Sequence, residues 1–192
     1  VVATGTASGK TMCYNLPTLE AILLDPQTRA IYLFPTKALT QDQLRVLKNL
    51  VDRLKAISTR PDGSPLHIPR FGAYDGDTPQ TSRSRLRQDG NIILTNPDML
   101  HIGILPNHTL WGQFLKNLKF VVVDEAHIYR GVFGSHVAVV FRRLLRLCQL
   151  YGSQPQFICC SATIANPGEH IERLTGRRPL VVDDDGSPRA PK

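Results

Sequence analysis

Eight residues near the N-terminus, from Thr4 to Thr11, have the types and spacing that hold a phosphate group. They read Thr-Gly-Thr-Ala-Ser-Gly-Lys-Thr and follow the apolar residues Val1 to Ala3. In a loop between a strand and a helix, backbone N–H groups converge on one concavity, and a glycine lets the main chain approach a phosphate. The Lys10 ammonium would then reach the terminal phosphates of a nucleotide, and the Thr11 hydroxyl would hold Mg²⁺. The candidate nucleotide-binding residues are Gly5, Thr6, Ala7, Ser8, Gly9, Lys10 and Thr11.

This octet departs from the strict phosphate-loop pattern at two places. Thr4 stands where that pattern has glycine, and Ala7 stands where a closely related pattern has glycine. A flexible turn of Gly, Ser and Thr is therefore the alternative interpretation of the octet, and its surroundings in the fold decide between the two.

Two adjacent carboxylates, Asp124 and Glu125, follow the apolar run Phe120 to Val123. Carboxylates beside a buried strand are unfavourable unless a cation compensates their charge. Mg²⁺ binds a few carboxylate or hydroxyl oxygens together with water and phosphate, so Asp124 and Thr11 could hold Mg·nucleotide between them. Glu125 would orient or deprotonate the attacking water. The alternative is a solvated acidic strand end.

A third polar group lies further along the chain, at Ser161 to Thr163. His127 could hydrogen-bond toward the hydroxyl groups of Ser161 and Thr163 and so sense the γ-phosphate. The alternative for His127 is an ordinary surface histidine. The phosphate loop upstream and the Ser-Ala-Thr segment downstream favour the catalytic interpretation of the whole set.

The elements that must position these residues alternate between two hydrophobic periods. Short apolar runs that end at polar residues predict buried strands of a mostly parallel sheet. They lie at 30–34, 71–74, 91–95, 120–123, 157–160 and 180–182. Amphipathic stretches between them predict helices, which gives an α/β fold with helices on both faces of the sheet. In such sheets ligands bind beyond the carboxyl ends of the strands, where every polar group named above would collect.

Two local predictions concern the first helix, expected from Thr11 to about Leu24. Its apolar stripe is assigned to Met12, Leu16, Leu19 and Leu23, and Pro17 is expected to kink it. The four cysteines, of which Cys13 is in this helix, lie in apolar segments without a C-x-x-C pair and are predicted to be small core residues.

The composition is that of a globular protein with a basic surface. The chain has 192 residues, 42% of them apolar and 20% charged, and a formal net charge of +7. These values fit one well-buried domain, and the positive charge suits a polyanionic partner. We recognise neither a signal-peptide pattern nor an apolar run long enough to span a membrane, so we expect a cytoplasmic protein without a membrane partner.

The motif set resembles the first, RecA-like P-loop lobe of the superfamily-two DEAD/DEAH-box helicases. The segments that match motifs I, Ia, Ib, II and III stand in the family's order, at Gly5–Thr11, Pro35–Leu39, Thr95–Leu100, Asp124–His127 and Ser161–Thr163. Motif I and the residues Ile128 to His136 look more specifically like the bacterial mitomycin-repair-type DNA helicases that carry a C-terminal cysteine-rich domain.

This resemblance implies a nucleic-acid face as well as an ATP site. Thr36, Lys37, Thr95 and Asn96 would touch the sugar-phosphate backbone of a single strand, which gives salt-sensitive binding with little sequence preference. Thr36 and Thr95 could instead cap the helices that follow them. Trp111 and Tyr129 are expected to pack in the core rather than stack on a base, and the basic helix with Arg83, Arg85 and Arg87 is expected to be solvated.

The resemblance also implies that residues 1–182 are an ATP-binding lobe that lacks its adenine-reading segment. Residues 183–192 would begin a linker to a second lobe, which would supply arginine fingers, so residues 1–192 alone are expected to hydrolyse almost no ATP. The implied function is that of a DNA helicase motor, active in DNA repair and associated with the nucleoid in a bacterium. An RNA remodeller and a nucleotide-gated binding module with vestigial hydrolysis remain alternatives.

Overall fold

A single parallel sheet of six strands organises the part of the chain that the computed structural model describes, which is residues 1–3, 9–57, 59 and 63–183. The strands are β1 Val2–Ala3, β2 Arg29–Leu33, β3 Phe71–Ala73, β4 Ile92–Thr95, β5 Leu118–Val123 and β6 Gln156–Ser161. They are ordered β1-β6-β5-β2-β4-β3, and all five pairings are parallel. The strand expected before the phosphate loop and five of the six other predicted strands are thus present, and the α/β fold class is confirmed.

Helices cover both faces of this sheet. They are α1 Lys10–Leu24, α2 Lys37–Ile57, α3 Gln80–Asp89, α4 Pro97–Met99, α5 Gly112–Lys116, α6 Gly131–Tyr151 and α7 Pro167–Thr175. Helix α4 continues into a π-helical turn at Leu100–Ile104, and a short 3₁₀ turn at Ala126–Ile128 follows β5.

Successive residues of the central strands point into two separate hydrophobic cores. In β5, Val121 and Val123 belong to the core under α6 and α7, whereas Phe120 and Val122 belong to the core under α1 and α2. This alternation follows from the two-residue period of a strand. It explains why these strands read as continuous apolar runs, since both of their faces are buried. Cys159 and Cys160 divide between the two cores in the same way.

The buried face of α1 differs from the predicted stripe. The buried residues are Tyr14, Asn15, Thr18, Leu19, Ala21 and Ile22, whereas Met12 and Leu16 are exposed. The face toward the sheet carries hydroxyl and amide groups, which an apolar count passes over. Cys13, predicted to be a core residue, is exposed for the same reason, while Cys148, Cys159 and Cys160 are buried as predicted.

The predicted strand at 180–182 is not a full strand in the structure. Val182 makes a single parallel bridge to Val2, with hydrogen bonds to Val1 and Ala3, and Leu180 is exposed. The physical reason is that β1 has only two residues, so little ladder is available for pairing. The remainder of the predicted linker, residues 184–192, lies outside the described residues.

The carboxyl ends of the strands lie in register at one edge of the sheet. Leu33 pairs with both Thr95 and Val123, Val123 pairs with Cys159, and Ala3 pairs with Ser161. The residues that follow β2, β4, β5 and β6 therefore share one edge with the end of β1, as the sequence predicts.

Candidate functional site

The described part of the phosphate loop is the start of helix α1. Gly9 is the N-cap residue, and its φ of 74° lies in the left-handed region that glycine adopts without strain. Lys10 and Thr11 are the first two residues of the helix and are half-buried. The first turn carries no acidic side chain, so its N–H groups and helix dipole favour an anion. Gly5, Thr6, Ala7 and Ser8 lie outside the described residues.

Asp124, at the end of β5, joins this helix start through Tyr14. The Tyr14 hydroxyl donates to Asp124 Oδ2 at 3.2 Å, and the backbone N–H of Glu125 donates to Asp124 Oδ1 at 2.9 Å. Thr11 stands three residues before Tyr14 in the same helix, one turn away. Tyr14 thus links Asp124 to the helix that carries Thr11, the other predicted metal ligand.

The Asp124 carboxyl group is only 9% exposed, and this burial raises its pKa above the usual value. The neighbouring charge of Glu125 adds to the rise, whereas hydrogen bonds from the Glu125 N–H and from Tyr14, and the charge of Lys10, oppose it. Burial makes the charged form of this carboxyl group unfavourable, and a bound cation would stabilise that form.

The oxygen ligands present fit a magnesium ion. A carboxylate and a hydroxyl group leave the remaining positions to water and phosphate, which is the arrangement that Mg²⁺ favours. Among the described residues no group of three or more His, Cys, Asp or Glu side chains could hold a metal ion. A metal here would therefore depend on a bound nucleotide for much of its coordination.

Glu125 has a backbone conformation unusual for its residue type. Its φ and ψ are 48° and 41°, and it is the one non-glycine residue with positive φ in the described part of the chain. Such a conformation is strained by roughly 1–3 kcal/mol and persists where the surroundings impose it. The strain turns the chain sharply after Asp124 and leaves the Glu125 side chain half-buried at the sheet edge.

The His127 ring contacts the main chain of the Ser161–Thr163 segment. The sequence had predicted a contact with the hydroxyl groups of that segment. The Ala162 N–H donates to His127 Nδ1 at 3.3 Å, and Glu125 Oε2 lies at the same distance from that nitrogen. The Ser161 hydroxyl is buried and donates to the Ala162 carbonyl, and Thr163 is exposed. The expected hydroxyl contacts are therefore wrong in detail, because the turn after β6 presents its N–H to the ring.

The two contacts of His127 Nδ1 exclude each other as full hydrogen bonds. Accepting from Ala162 requires an unprotonated Nδ1, whereas donating to Glu125 requires Nδ1–H. The ring can thus bind either the segment after β6 or the carboxylate of Glu125, so these two parts of the site compete for it.

The predicted nucleic-acid residues after β2 differ in exposure and bonding. The Thr36 hydroxyl accepts the Leu39 N–H at 3.3 Å, so it caps α2, while its side chain stays exposed. Lys37 is exposed and forms an ion pair with Asp77 at 2.6 Å. Both Thr36 and Lys37 remain accessible from the sheet edge.

Thr95 is buried, with an exposure of 1%, and its hydroxyl donates to the Tyr74 carbonyl at 2.7 Å. A side chain in this position ties β4 to the loop after β3, and it has no surface to offer a nucleic acid. Asn96, not Thr95, caps the next helix, accepting the Met99 N–H at 2.7 Å. The Thr95 side chain is therefore neither a nucleic-acid contact nor a helix cap, and both predictions for it are wrong.

Helix α3 contributes one structural arginine that was expected to be solvated. Arg83 Nη2 donates to the carbonyl oxygens of Asp75 and Gly76, at 2.7 and 3.0 Å, and its guanidinium lies 5.5 Å from the Tyr74 ring centroid. It therefore fixes the loop that carries Asp77. Trp111 and Tyr129 are 1% exposed and pack in the core, as expected.

Four residues of the site were missed from the sequence: Tyr14, Gln43, Asp77 and His170. His170 Nε2 donates to the Ala126 carbonyl at 2.8 Å and so links α7 to the turn after β5. For Tyr14 a signal was present, since it stands four residues after Lys10 and therefore one helical turn along the same face. The other three depend on tertiary contacts.

Comparison with known proteins identifies the family. A model of the DEAD/DEAH box helicase family matches residues 1–171. The chain belongs to this family. Over all 192 residues it is 54% identical to the uncharacterized ATP-dependent helicase YprA of Bacillus subtilis (strain 168), of which it covers 24%. It is 44% identical, over its whole length, to the ATP-dependent helicase HRQ1 of Saccharomyces cerevisiae, of which it covers 17%.

Solved structures of helicases share the fold. The DUF1998 helicase MrfA bound to DNA and AMPPNP is 53% identical, with a TM-score of 0.89 over 97% of this chain and 25% of that one. The helicase Lhr of Mycobacterium smegmatis bound to ssDNA and AMP-PNP is 28% identical, with a TM-score of 0.79 over 96% of this chain and 23% of that one. The predicted helicase lobe with a RecA-like fold is confirmed.

The 192 residues of this chain span a quarter or less of the length of each of these four relatives. Among its described residues, no helix is both long and apolar enough to cross a membrane.

Proposed function

We propose that this chain is the ATP-binding and ATP-hydrolysing motor lobe of a DNA helicase that acts in DNA repair. One observation carries the ATP site: the buried carboxylate of Asp124 accepts a hydrogen bond from Tyr14, which stands one turn into the helix that begins with Lys10 and Thr11. This arrangement joins a helix start that favours phosphate to a carboxylate that favours a cation.

Each residue of this site has a proposed role in phosphoryl transfer. Lys10 and the N–H groups at the start of α1 bind the β- and γ-phosphates, and Gly5 to Gly9 supply the rest of the phosphate loop. Thr11 and Asp124 hold Mg²⁺, which would neutralise charge on the phosphates. Glu125, half-buried at the sheet edge after its left-handed turn, orients the water and accepts its proton.

The contact between His127 and Ala162 supports a coupling role for the segment after β6. Because the His127 ring can serve either Ala162 or Glu125, a change at Glu125 on hydrolysis would alter the hold on residues 161–163. We propose that His127, Ser161 and Thr163 communicate the state of the nucleotide to the rest of the motor.

Three exposed or half-buried residues support a nucleic-acid face on the same edge: Thr36, Lys37 and Asn96. Thr36 and Lys37 stand at the start of α2, whose N–H groups favour a phosphate. The net charge of +7 favours the same partner. MrfA and Lhr, both more than 25% identical to this chain, were solved with DNA, which supports DNA over RNA.

The length of the relatives supports a motor with a second lobe. Because the chain covers 24% of YprA and 25% of MrfA, we assign residues 1–182 to one lobe and residues 183–192 to the connection that follows. The second lobe would complete the ATP site with arginine side chains, which typically contribute about 10³- to 10⁵-fold in rate. A helicase of this kind would work in the cytoplasm, at the nucleoid if the source is a bacterium.

The decisive experiment is steady-state ATP hydrolysis by the full-length protein with single-stranded DNA, with RNA of the same sequence, and without either. We expect stimulation by DNA well above that by RNA. Lys10→Ala is the control, since alanine keeps the helix start and removes the phosphate contact. Stimulation by RNA alone would establish the remodeller, and nucleotide binding without turnover would establish a binding module.

A further inference from the structure

The Tyr14 hydroxyl lies between two acceptors on different elements of the fold. It is 3.0 Å from Gln43 Oε1 on helix α2 and 3.2 Å from Asp124 Oδ2 at the end of β5. The Tyr14 side chain is completely buried, and its ring packs edge to face on Tyr32 with centroids 5.2 Å apart. The ring is therefore fixed, while the O–H bond can rotate.

A single proton serves both acceptors. Burial, and secondarily the charge of Asp124, raise the pKa of the Tyr14 phenol far above its usual value, so the group stays an O–H donor. A phenol has one proton and makes one full hydrogen bond as a donor. A stronger bond to Asp124 therefore means a weaker bond to Gln43, and the reverse.

The two acceptors belong to opposite halves of the proposed function. Asp124 is the proposed metal-binding carboxylate. Gln43 is six residues after Lys37 on the same 21-residue helix, so about 9 Å of rigid helix separates it from the proposed nucleic-acid contacts. A change in the bond at Gln43 acts on the helix whose first turn would hold the nucleic acid.

We propose that Tyr14 is a positioning residue that couples nucleotide binding to nucleic-acid binding by moving one hydrogen bond between Asp124 and Gln43. When Asp124 is engaged with a cation, its Oδ2 is a weaker acceptor, the Tyr14 O–H turns to Gln43, and α2 is held more firmly against α1. When no cation is bound, the Tyr14 O–H donates to Asp124 and not to Gln43. Helix α2 is then held less firmly. This inference rests on the proposed ATP and nucleic-acid sites.

The fold supplies a matched control in the neighbouring ring. Tyr32 is buried in the same cluster, but its hydroxyl bonds to neither Asp124 nor Gln43. Tyr14→Phe and Tyr32→Phe thus remove the same atom from adjacent sites in one core. Only the first substitution removes the shared proton.

The test is the affinity of the full-length protein for a fluorescein-labelled single-stranded DNA, by anisotropy, with and without Mg²⁺ and AMPPNP. The measured quantity is the ratio of the two affinities, which is a coupling between sites. We expect Tyr14→Phe to move this ratio about three- to tenfold toward one, as expected for one hydrogen bond. Tyr32→Phe keeps the wild-type ratio.

Gln43→Met is the second variant, since it removes the acceptor from a half-buried helix position and leaves the core intact. We expect it to reproduce the effect of Tyr14→Phe, and the double variant to equal either single one. The affinity for AMPPNP, measured with and without DNA, must change by the same factor because the coupling is reciprocal.

The outcomes separate this proposal from the function on which it rests. The wild-type ratio of DNA affinities with and without nucleotide should differ from one. If Tyr14→Phe and Gln43→Met keep that ratio, the role of Tyr14 alone is overturned. A wild-type protein that binds neither AMPPNP nor DNA, or whose ratio is one, overturns the coupled motor and the role of Tyr14 together.

Discussion

Lys37 Nζ and Asp77 Oδ2 form an ion pair at 2.6 Å, between the first residue of α2 and the loop after β3, although both side chains are mostly exposed. The hydrogen bond and charge of Asp77 raise the pKa of Lys37, and Lys37 in turn lowers the pKa of Asp77. Arg83 holds the backbone of this loop, so Asp77 is presented to Lys37 by a fixed turn. The Asp77 carboxylate therefore engages the ammonium group that we propose to contact a phosphate of the nucleic acid.

Removing this competitor should strengthen nucleic-acid binding. We expect Asp77→Asn to lower the Kd for single-stranded DNA about two- to fivefold at 50 mM salt, with the gain shrinking at higher salt because the effect is electrostatic. Asp52→Asn is the matched control, since Asp52 pairs with Lys55 at 2.8 Å at the other end of α2. Equal effects of the two substitutions, measured by salt titration, would assign the gain to net charge and not to Lys37.

Thr95 and Thr36 should separate stability from binding. Thr95→Val keeps the shape but leaves the Tyr74 carbonyl without its buried donor, so the free energy of unfolding should fall by about 1–2 kcal/mol while DNA affinity is unchanged. Thr36→Val should weaken DNA binding severalfold. Urea unfolding and anisotropy test both variants, and a loss of DNA affinity in Thr95→Val without a loss of stability would contradict the burial argument.

The raised pKa of Asp124 has a defined effect on stability. Protonation of this carboxyl group favours the fold, so its contribution is complete below the unfolded value of 3.8 and is lost as the pH rises through the folded pKa. Asp124→Asn has no such loss. The Tm of the nucleotide-free variant should therefore exceed that of the wild type at pH 7, with a gap that narrows toward pH 4.

Thermal denaturation across this pH range measures that gap. Each 1 kcal/mol corresponds to about 2–4 °C for a domain of this size. Mg·AMPPNP should reverse the order at pH 7, since only the wild type gains stability from tight binding. A gap that is constant with pH would show that desolvation of the Asp124 charge is not its cause.

Two substitutions of Glu125 should separate its effect on ATP hydrolysis from the effect of its strained backbone on stability. Glu125→Gln keeps a side chain in the left-handed region and should bind Mg·ATP without turning it over. Glu125→Gly should also be inactive, yet more stable than Glu125→Gln by roughly 0.5–1 kcal/mol, because relief of the left-handed strain exceeds the added freedom of the unfolded chain. Urea unfolding and single-turnover hydrolysis are the measurements, and wild-type turnover by Glu125→Gln would remove Glu125 from its proposed role.

The sequence was most informative where one physical signal dominated. The strand runs around Ile31, Ile93 and Val121 are apolar on both faces, so their type and the shared carboxyl edge could be predicted. The order of the motifs predicted the helicase family, and the comparisons with known proteins confirmed that family. Gly9 and Asp124 lie at strand and helix boundaries, where composition changes abruptly.

Predictions failed where polar groups are buried for tertiary reasons. The sheet-facing side of α1 carries Tyr14 and Thr18, so counting apolar residues selected the wrong face. Thr95 is polar yet fully buried, because a carbonyl on a neighbouring loop needs its hydroxyl group. The bond from Ala162 to His127 involves a backbone N–H, which no residue type reveals.

The position of β1 has a consequence for the order in which the molecule assembles. Val2 pairs with Cys160, so the strand that leads into the phosphate loop has its partner 158 residues later in the chain. Contacts of such long sequence separation form late, whereas β2, β4 and β5 can pair earlier. During synthesis on a ribosome, we therefore expect the proposed anion-binding surroundings of Lys10 to be completed only after β6 has emerged.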